Sequence, residues 1–455
     1  MGYRHRIQVW LQKTGSVSFA LYCMFFSFST YFCMYAFRKP FSVATFEGST
    51  ALLFFPPLQN KILYLISQIA GYTLSKFIGI KFVSESTKHK RLSLMISLIL
   101  VSHIGLLSFA LLPQHYKCLG LFINGLPLGM IWGLVFAYLE GRNLSILLGV
   151  GLSVSFIVSS GVMKSIGKYL LTTGIPEIWM PFCVGLFFLP IFCVSAYGLN
   201  LLPPPTAEEE KKRTKRIPMT KRERQHFFSL YAPALLSLTF VYMFLTSYRD
   251  FRDNFAREIW DSLGFGQHPS IFSITEIPIA IGVLILLGLL VFIRDKRKSF
   301  IVMNIFLILG SFSIGLGTWL FQHKIIGAIP WMMLSGTGLF LAYVPLNCIF
   351  YDDLIAITGF AGTAGFMIYV SDAFGYLGSV LLMILKNFGF PISNWIDFFI
   401  RFSYFTAFIG CGGFLFSMLY LLKKSASLQE VKILSTAPEP HFSSLSSDNL
   451  QDSSY

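Results

Sequence analysis

Charge is what this sequence of 455 residues has least of: Asp, Glu, Lys and Arg together make up 13%, against roughly 25% in an average soluble domain. So few charges cannot cover a water-exposed surface, which excludes an ordinary soluble domain. Paired cysteines are also missing. The seven Cys (23, 33, 118, 183, 193, 348 and 411) lie in or beside hydrophobic runs, none in CxxC spacing, so neither disulfides nor a zinc site is indicated. There is no nucleophile elbow, no zincin helix, no serine dyad motif and no Walker lysine. We therefore expect no enzyme, no cofactor and no metal.

What is present is apolar. Hydrophobic residues make up 54% of the chain, with 48 Phe and a mean hydropathy of +0.64. Such a chain dissolves in lipid. A span needs about 20 mostly apolar residues, and twelve candidates follow one another near 16–42, 61–83, 92–112, 116–139, 145–167, 177–201, 231–253, 271–293, 300–321, 329–350, 361–386 and 398–422. The runs are continuous rather than alternating, which argues for helices over a membrane β-barrel. The first run is too long for a secretory signal and has no small-residue cleavage site, so we read it as retained. The sequence thus predicts an all-α integral membrane protein of twelve transmembrane helices.

Basic residues orient it. With both termini placed inside, 24 of the 36 Lys and Arg fall on that side, in agreement with the positive-inside rule. The expectation is a multi-pass protein of a bacterial inner membrane with both termini cytoplasmic. An Asn-Leu-Ser glycosylation acceptor at 143–145 then falls on the inner side and is read as chance.

Residues 201–229, LLPPPTAEEEKKRTKRIPMTKRERQHFFS, form a polar stretch between two groups of six spans. Prolines and mixed charge make it a cytoplasmic linker; its basic cluster is read as a topology signal rather than a nucleic-acid site. The expected domains are an N-terminal six-helix half (1–200), the linker (201–229), a C-terminal half (230–422) and a disordered cytoplasmic tail (423–455). The halves look duplicated. An offset of 214 carries Arg38 onto Arg252 and RKPF (38–41) onto RDNF (252–255), as in the parallel halves of a transporter.

The basic pair Arg38–Lys39 sits toward the outer end of the first run, on the side poorer in basic residues. Two readings stand: an anchor at the outer interface, or an arginine turned into a water-filled cavity past a kink at Pro40. Lys164 likewise either touches substrate or snorkels to the interface. Glu276 and Asp372, acids within spans eight and eleven, are proton sites or structural ion pairs. Tyr22, Tyr31 and Tyr35 share a face of the first helix, as cavity lining or aromatic fill. His103 has no partner at helical spacing and is packed or lines a cavity. Gly125, Gly129 and Gly133 in span four, with Gly362, Gly365, Gly375 and Gly378 in span eleven, are read as close-packing positions.

Twelve spans in a six-plus-six layout resemble the major facilitator superfamily. Within it, YFCMYAFRKPF (31–41) is similar to the first-helix signature of the organophosphate:phosphate antiporters. FAGTAGFMIYVSDAFGYLGSV (360–380) is similar to their eleventh helix, and TEIP (275–278) to a segment of their eighth. The resemblance implies that Arg38 binds a substrate phosphate and that a second arginine, Arg249 or Arg252, completes the clamp. Two features depart from the pattern. Ser75 stands where the superfamily's inner loop carries Asp, and YRDFRDNFAREIW (248–260) sets acids beside the helix-seven arginines.

Guanidinium presents paired donors to a tetrahedral anion, which Lys cannot do. The expected function is therefore secondary active transport of a small organic or phosphorylated anion by alternating access, as antiport or coupled to protons. The expected substrate site is Arg38 with Arg249 or Arg252, Lys164, Tyr31 and Tyr35, and Glu276 and Asp372 serve coupling or an ion pair. Expected partners are the anion, phosphate or protons as counter-ion, and the bilayer. No nucleic acid is expected, and a monomer suffices. The alternative is a transporter-like sensor that binds such a ligand without moving it. A membrane-embedded enzyme and a cation or drug exporter are weaker rivals, the latter because the candidate cavity charges are mainly basic.

Overall fold

The computed structural model describes residues 3–52, 55–84, 88–139, 145–204, 221–293, 295–348, 350–358, 364–388 and 395–436. Among them are twelve long helices, built on the expected apolar runs. The first six are α2 (Ser16–Tyr35), α3 (Asn60–Ser84), α4 (Lys88–Leu111), α5 (Lys117–Leu139), α6 (Ser145–Thr172) and α7 (Met180–Asn200). The second six are α8 (Lys221–Asn254), α10 (Ile271–Gly288), α11 (Lys296–Gln322), α12 (Ala328–Cys348), α14 (Ala364–Phe388) and α15 (Trp395–Thr436). Shorter helices α1 (Tyr3–Lys13), α9 (Ala256–Ser262) and α13 (Phe350–Thr358) lie between or before them.

Nine of the described helices are long and apolar enough to cross a membrane. The other three long ones are α3, α6 and α14, which hold Lys76, Lys164 and Asp372 in their interiors. Large apolar side chains stand exposed along the outer faces, among them Phe187, Phe408 and Leu419, as lipid contact requires. Prolines sit inside five spans, at Pro127, Pro190, Pro233, Pro278 and Pro345. In lipid no water competes for the freed carbonyl, and neighbouring helices satisfy it.

Where the two halves meet, α6 lies along α10 and α3 along α14. Gly161 on α6 permits the first contact, since a Cβ there would stand 2.7 Å from the Phe272 carbonyl oxygen. Within the first half, Gly125 does the same for α3 and α5: its Cβ would lie 2.2 Å from the Gln68 oxygen. We call the end of the bundle where α7 leaves and α8 begins the linker end, and the opposite end the far end.

Several boundaries differ from expectation. The first helix stops at Tyr35 rather than running to 42; Arg38 and Lys39 both donate backbone N–H to the Tyr35 carbonyl, and a 3-10 turn follows at Pro40–Val43. Lys39 still has helical dihedrals, but Pro40 has no N–H to donate to the Ala36 carbonyl, so the helical hydrogen bonding ends there. Helix α8 starts ten residues before the expected 231, at Lys221, and α15 runs past 422 to Thr436. The far end also carries a two-stranded antiparallel hairpin, β1 (Ser49–Leu52) and β2 (Phe55–Gln59), with Thr50 opposite Leu58. Gly362 with most of the AGTAG stretch, the acceptor Asn143 and most of the linker and tail lie outside the described residues.

Candidate functional site

The turn after α2 places Arg38. Asn124 on α5 donates to the Phe37 carbonyl at 3.0 Å, and Gln68 on α3 to the Arg38 carbonyl at 3.3 Å. Gln68 also donates to Asn124 at 2.7 Å, so one polar cluster pins the turn from two helices. The Arg38 side chain is 94% buried, its exposure being 6%, and its guanidinium carbon lies 4.0 Å from the ring centroid of Tyr72. Among the described residues no carboxylate pairs with it. Tyr31 and Tyr35, one helical turn apart, meet edge to face beside it at 5.5 Å.

The second half contributes an arginine of similar setting. Arg249 on α8 lies 4.6 Å from the Tyr343 ring and 5.7 Å from that of Tyr376. Tyr376 in turn meets Tyr72 across the two halves at 5.2 Å. An aromatic bridge thus connects the two guanidinium groups. All three nitrogens of Arg249 are engaged: Nε and Nη2 donate to Asp250 Oδ1 at 3.0 and 2.8 Å, and Nη1 donates to the Tyr343 hydroxyl.

Arg252, the other helix-seven candidate, is held elsewhere. Its Nη1 donates to Glu276 at 2.6 Å and its Nη2 to the Met332 carbonyl at 3.0 Å, in a setting 4% exposed. Glu276 is therefore the acid of an ion pair between α8 and α10. The 214-residue offset aligned the helices but chose the wrong arginine for the aromatic bridge; Arg249, one turn earlier, is the one there.

Lys39 and Lys164 meet on one acid. Asp253 accepts Lys39 Nζ on Oδ2, and Lys164 Nζ at 2.6 Å on Oδ1, where Ser160 also donates. Both lysines belong to the first half and Asp253 to the second, so the cluster bolts the halves together at the far end. Neither lysine snorkels. Three more cross-half contacts lie at that end: Lys61 with Glu258 at 2.5 Å, Arg257 donating to the Val43 carbonyl at 2.6 Å, and Ser165 with Ser273 at 2.6 Å.

Asp372 on α14 lies nearer the linker end. Its Oδ1 accepts from the Tyr242 hydroxyl at 2.5 Å, and its Oδ2 lies 3.4 Å from Lys76 of α3. The latter pair crosses the halves as well.

These groups line one cavity of about 70 Å³ between the halves, room for a small ion with a few waters. Its walls come from α3, α5, α6, α8, α10, α12 and α14 and from α2 with its turn. Of the expected site residues, Arg38, Arg249, Arg252, Tyr31, Tyr35, Glu276 and Asp372 line it, and Lys164 reaches it through Asp253. Tyr22 does not; its hydroxyl donates to the Gly198 carbonyl. His103 packs flat on Phe182 at 4.5 Å and keeps both ring nitrogens unpartnered among the described residues.

Sequence reading missed Lys76, Tyr72, Tyr343 and Tyr376, and picked out Asp250 and Asp253 only as acids beside the helix-seven arginines. Lys76 stands two turns inside α3, and its place in a largely apolar run was the available signal. With Lys164, six bases face four acids (Asp250, Asp253, Glu276, Asp372), a surplus of two positive charges.

Comparison with known proteins places the chain. The profile of a family of unknown function, DUF5690, matches residues 40–424, and the chain belongs to that family. No curated protein matches it in sequence. Several solved structures share its fold. A peptide transporter captured with sulfate superposes with a TM-score of 0.58 at 12% identity, covering 94% of this chain and 99% of that one. The inward-open xylose transporter XylE from E. coli gives 0.55 at 15% identity, over 90% and 99%. The nucleoside transporter NupG gives 0.50 at 13%, over 92% and 99%. The twelve helices accordingly have the major facilitator fold.

Proposed function

We propose that this protein is a secondary transporter that carries a small organic or phosphorylated anion by alternating access. The observation that carries the reading is Arg38: a buried arginine without a partner acid among the described residues, stacked on Tyr72 and bridged by aromatic rings to Arg249 of the opposite half. A buried, unpaired guanidinium is costly, and a bound anion removes that cost. The surplus of two positive charges suits a dianion such as a phosphate monoester.

The anion binds between Arg38 and Arg249, each offering paired N–H donors. It draws the halves together from both sides of the cavity, because its affinity is highest where both arginines reach it. Transport then requires the far-end contacts through Asp253, Glu258, Val43 and Ser273 to part while the linker end closes. The six-helix halves, 1–200 and 230–422, are the moving bodies, and 201–229 tethers them. In this reading the protein works as a monomer in a bacterial inner membrane, both termini cytoplasmic, with phosphate or protons as the counter-ion. No enzymatic step is proposed.

The test is counterflow in liposomes loaded with phosphate, with labelled phosphate or a phosphate monoester outside. Exchange by the wild type that disappears in Arg38→Ala supports the anion carrier. Saturable binding without any exchange would replace the carrier with a membrane sensor. Binding and exchange untouched by Arg38→Ala would defeat the clamp.

A further inference from the structure

We propose that Asp250 is the coupling acid of this carrier: it occupies Arg249 in the empty state and takes up a proton when an anion displaces it. The inference rests on the anion clamp proposed above. In the structure Asp250 Oδ1 takes two of the N–H donors of Arg249 and the Tyr343 hydroxyl takes the third nitrogen. The Nε–Nη2 edge of Arg249 is therefore closed, and one N–H remains on each terminal nitrogen. An anion that takes the paired donors of that edge has to remove Oδ1 from both nitrogens.

Removal leaves Asp250 in a poor position. Its side chain is 3% exposed, and Oδ2 already has no hydrogen-bond partner among the described residues. The other three acids of the cavity are better held. Asp253 uses both oxygens on lysines, Asp372 uses one on Tyr242 and one on Lys76, and Glu276 is fixed on Arg252. None of those partners belongs to the proposed clamp, so substrate need not disturb them. Asp250 alone shares its partner with the substrate.

A buried carboxylate stripped of its counter-charge costs several kcal/mol, and protonation is the usual escape. The step balances simply. One proton from the aqueous side of the cavity joins Asp250, the neutral acid releases Arg249, and the anion replaces the lost negative charge. On release of the anion, the proton leaves and Asp250 returns to Arg249. Anion and proton then travel together, as symport.

The groups facing Asp250 are known from each neighbouring element. Arg38 and Lys39 act on it electrostatically from the turn after α2, Tyr343 from α12 and Arg249 from its own helix. Asp253 lies one turn on, Glu276 lines the same cavity from α10, and α14 presents Tyr376 beside Arg249. From α15, Phe399 and Ser403 pack on the adjacent Tyr248.

The test is calorimetric titration of inorganic phosphate into the full-length protein in lipid nanodiscs. Runs in two buffers of different ionisation heat, with phosphate's own ionisation subtracted, count the protons taken up. We expect about one proton per phosphate for the wild type. Asp250→Asn is expected to bind about ten- to a hundredfold more tightly, having lost a competing charge-assisted bond, and to take up no proton. Asp250→Glu keeps the carboxyl and is expected to keep the uptake, as is Asp372→Asn. Unchanged uptake in Asp250→Asn, loss of it in Asp372→Asn instead, or weaker phosphate binding by Asp250→Asn than by Asp250→Glu would each overturn the assignment. Absence of phosphate binding by the wild type is a separate result: it removes the anion clamp, and the coupling acid falls with it.

Discussion

Arg38 and Tyr72 are stacked, the guanidinium carbon 4.0 Å from the ring centroid, although they lie on different elements of the first half. The ring stabilises the arginine without neutralising it, since a cation–π contact uses the face of the ring and leaves the N–H edges free. A carboxylate in the place of Tyr72 would have consumed those edges.

The stack predicts a graded response at Tyr72. Tyr72→Phe keeps the ring and should bind anion within about threefold of wild type, whereas Tyr72→Leu should weaken binding by about three- to thirtyfold, the range of a partly desolvated cation–π contact. Equal loss in both variants would shift the role to the hydroxyl. Titration with phosphate decides between them.

Arg38→Lys should lose most anion binding while melting near the wild-type temperature. Lysine keeps the charge but supplies a point donor in place of a planar fork. Unchanged affinity would show that charge alone suffices there.

At the far end, Ser165 and Ser273 face each other across the halves with 2.6 Å between their oxygens. Cysteines at both positions, Ser165→Cys with Ser273→Cys, should form a disulfide under mild oxidation and halt exchange. Reductant should restore it. Exchange that continues in the fully crosslinked protein would mean the far end does not open.

Asp253 neutralises two buried lysines of the opposite half. Asp253→Asn strands both, and removing one partner from a buried ion pair costs about 3–5 kcal/mol. We expect a lower melting temperature and faster labelling of far-end residues by a water-soluble reagent. Replacing Lys39 by Met in the same protein should recover part of that loss; no recovery would show that the lysines are not what Asp253 holds.

The twelve spans could be read from the sequence because hydropathy acts over long windows, whereas for Arg38 the sequence left an interface anchor and a cavity group both open. Side-chain partners could not be read from it. Asp253 follows Arg252 directly and stands one turn from Arg249 in YRDFRDNF, and local spacing suggested that the acids neutralise those arginines. Tertiary contact gives Asp253 to Lys39 and Lys164 instead, at sequence separations no local pattern encodes. Asp250 did take its neighbour, as spacing suggested. The hairpin at 49–59 escaped notice because its strands are short and flank an apolar pair with prolines, a pattern shared with irregular loops.

Glu177, in the turn before α7, accepts the backbone N–H groups of Thr45 and Phe46 at 3.0 and 2.9 Å. Together with Gln68 and Asn124, it fastens the backbone around Arg38 to α3, α5 and the turn before α7. The Arg38 backbone therefore has no travel of its own, and only the side chain adjusts. Selection among anions then becomes a matter of gauge. A ligand too wide for the reach of two arginines on held backbones props the halves apart, and binds without being carried.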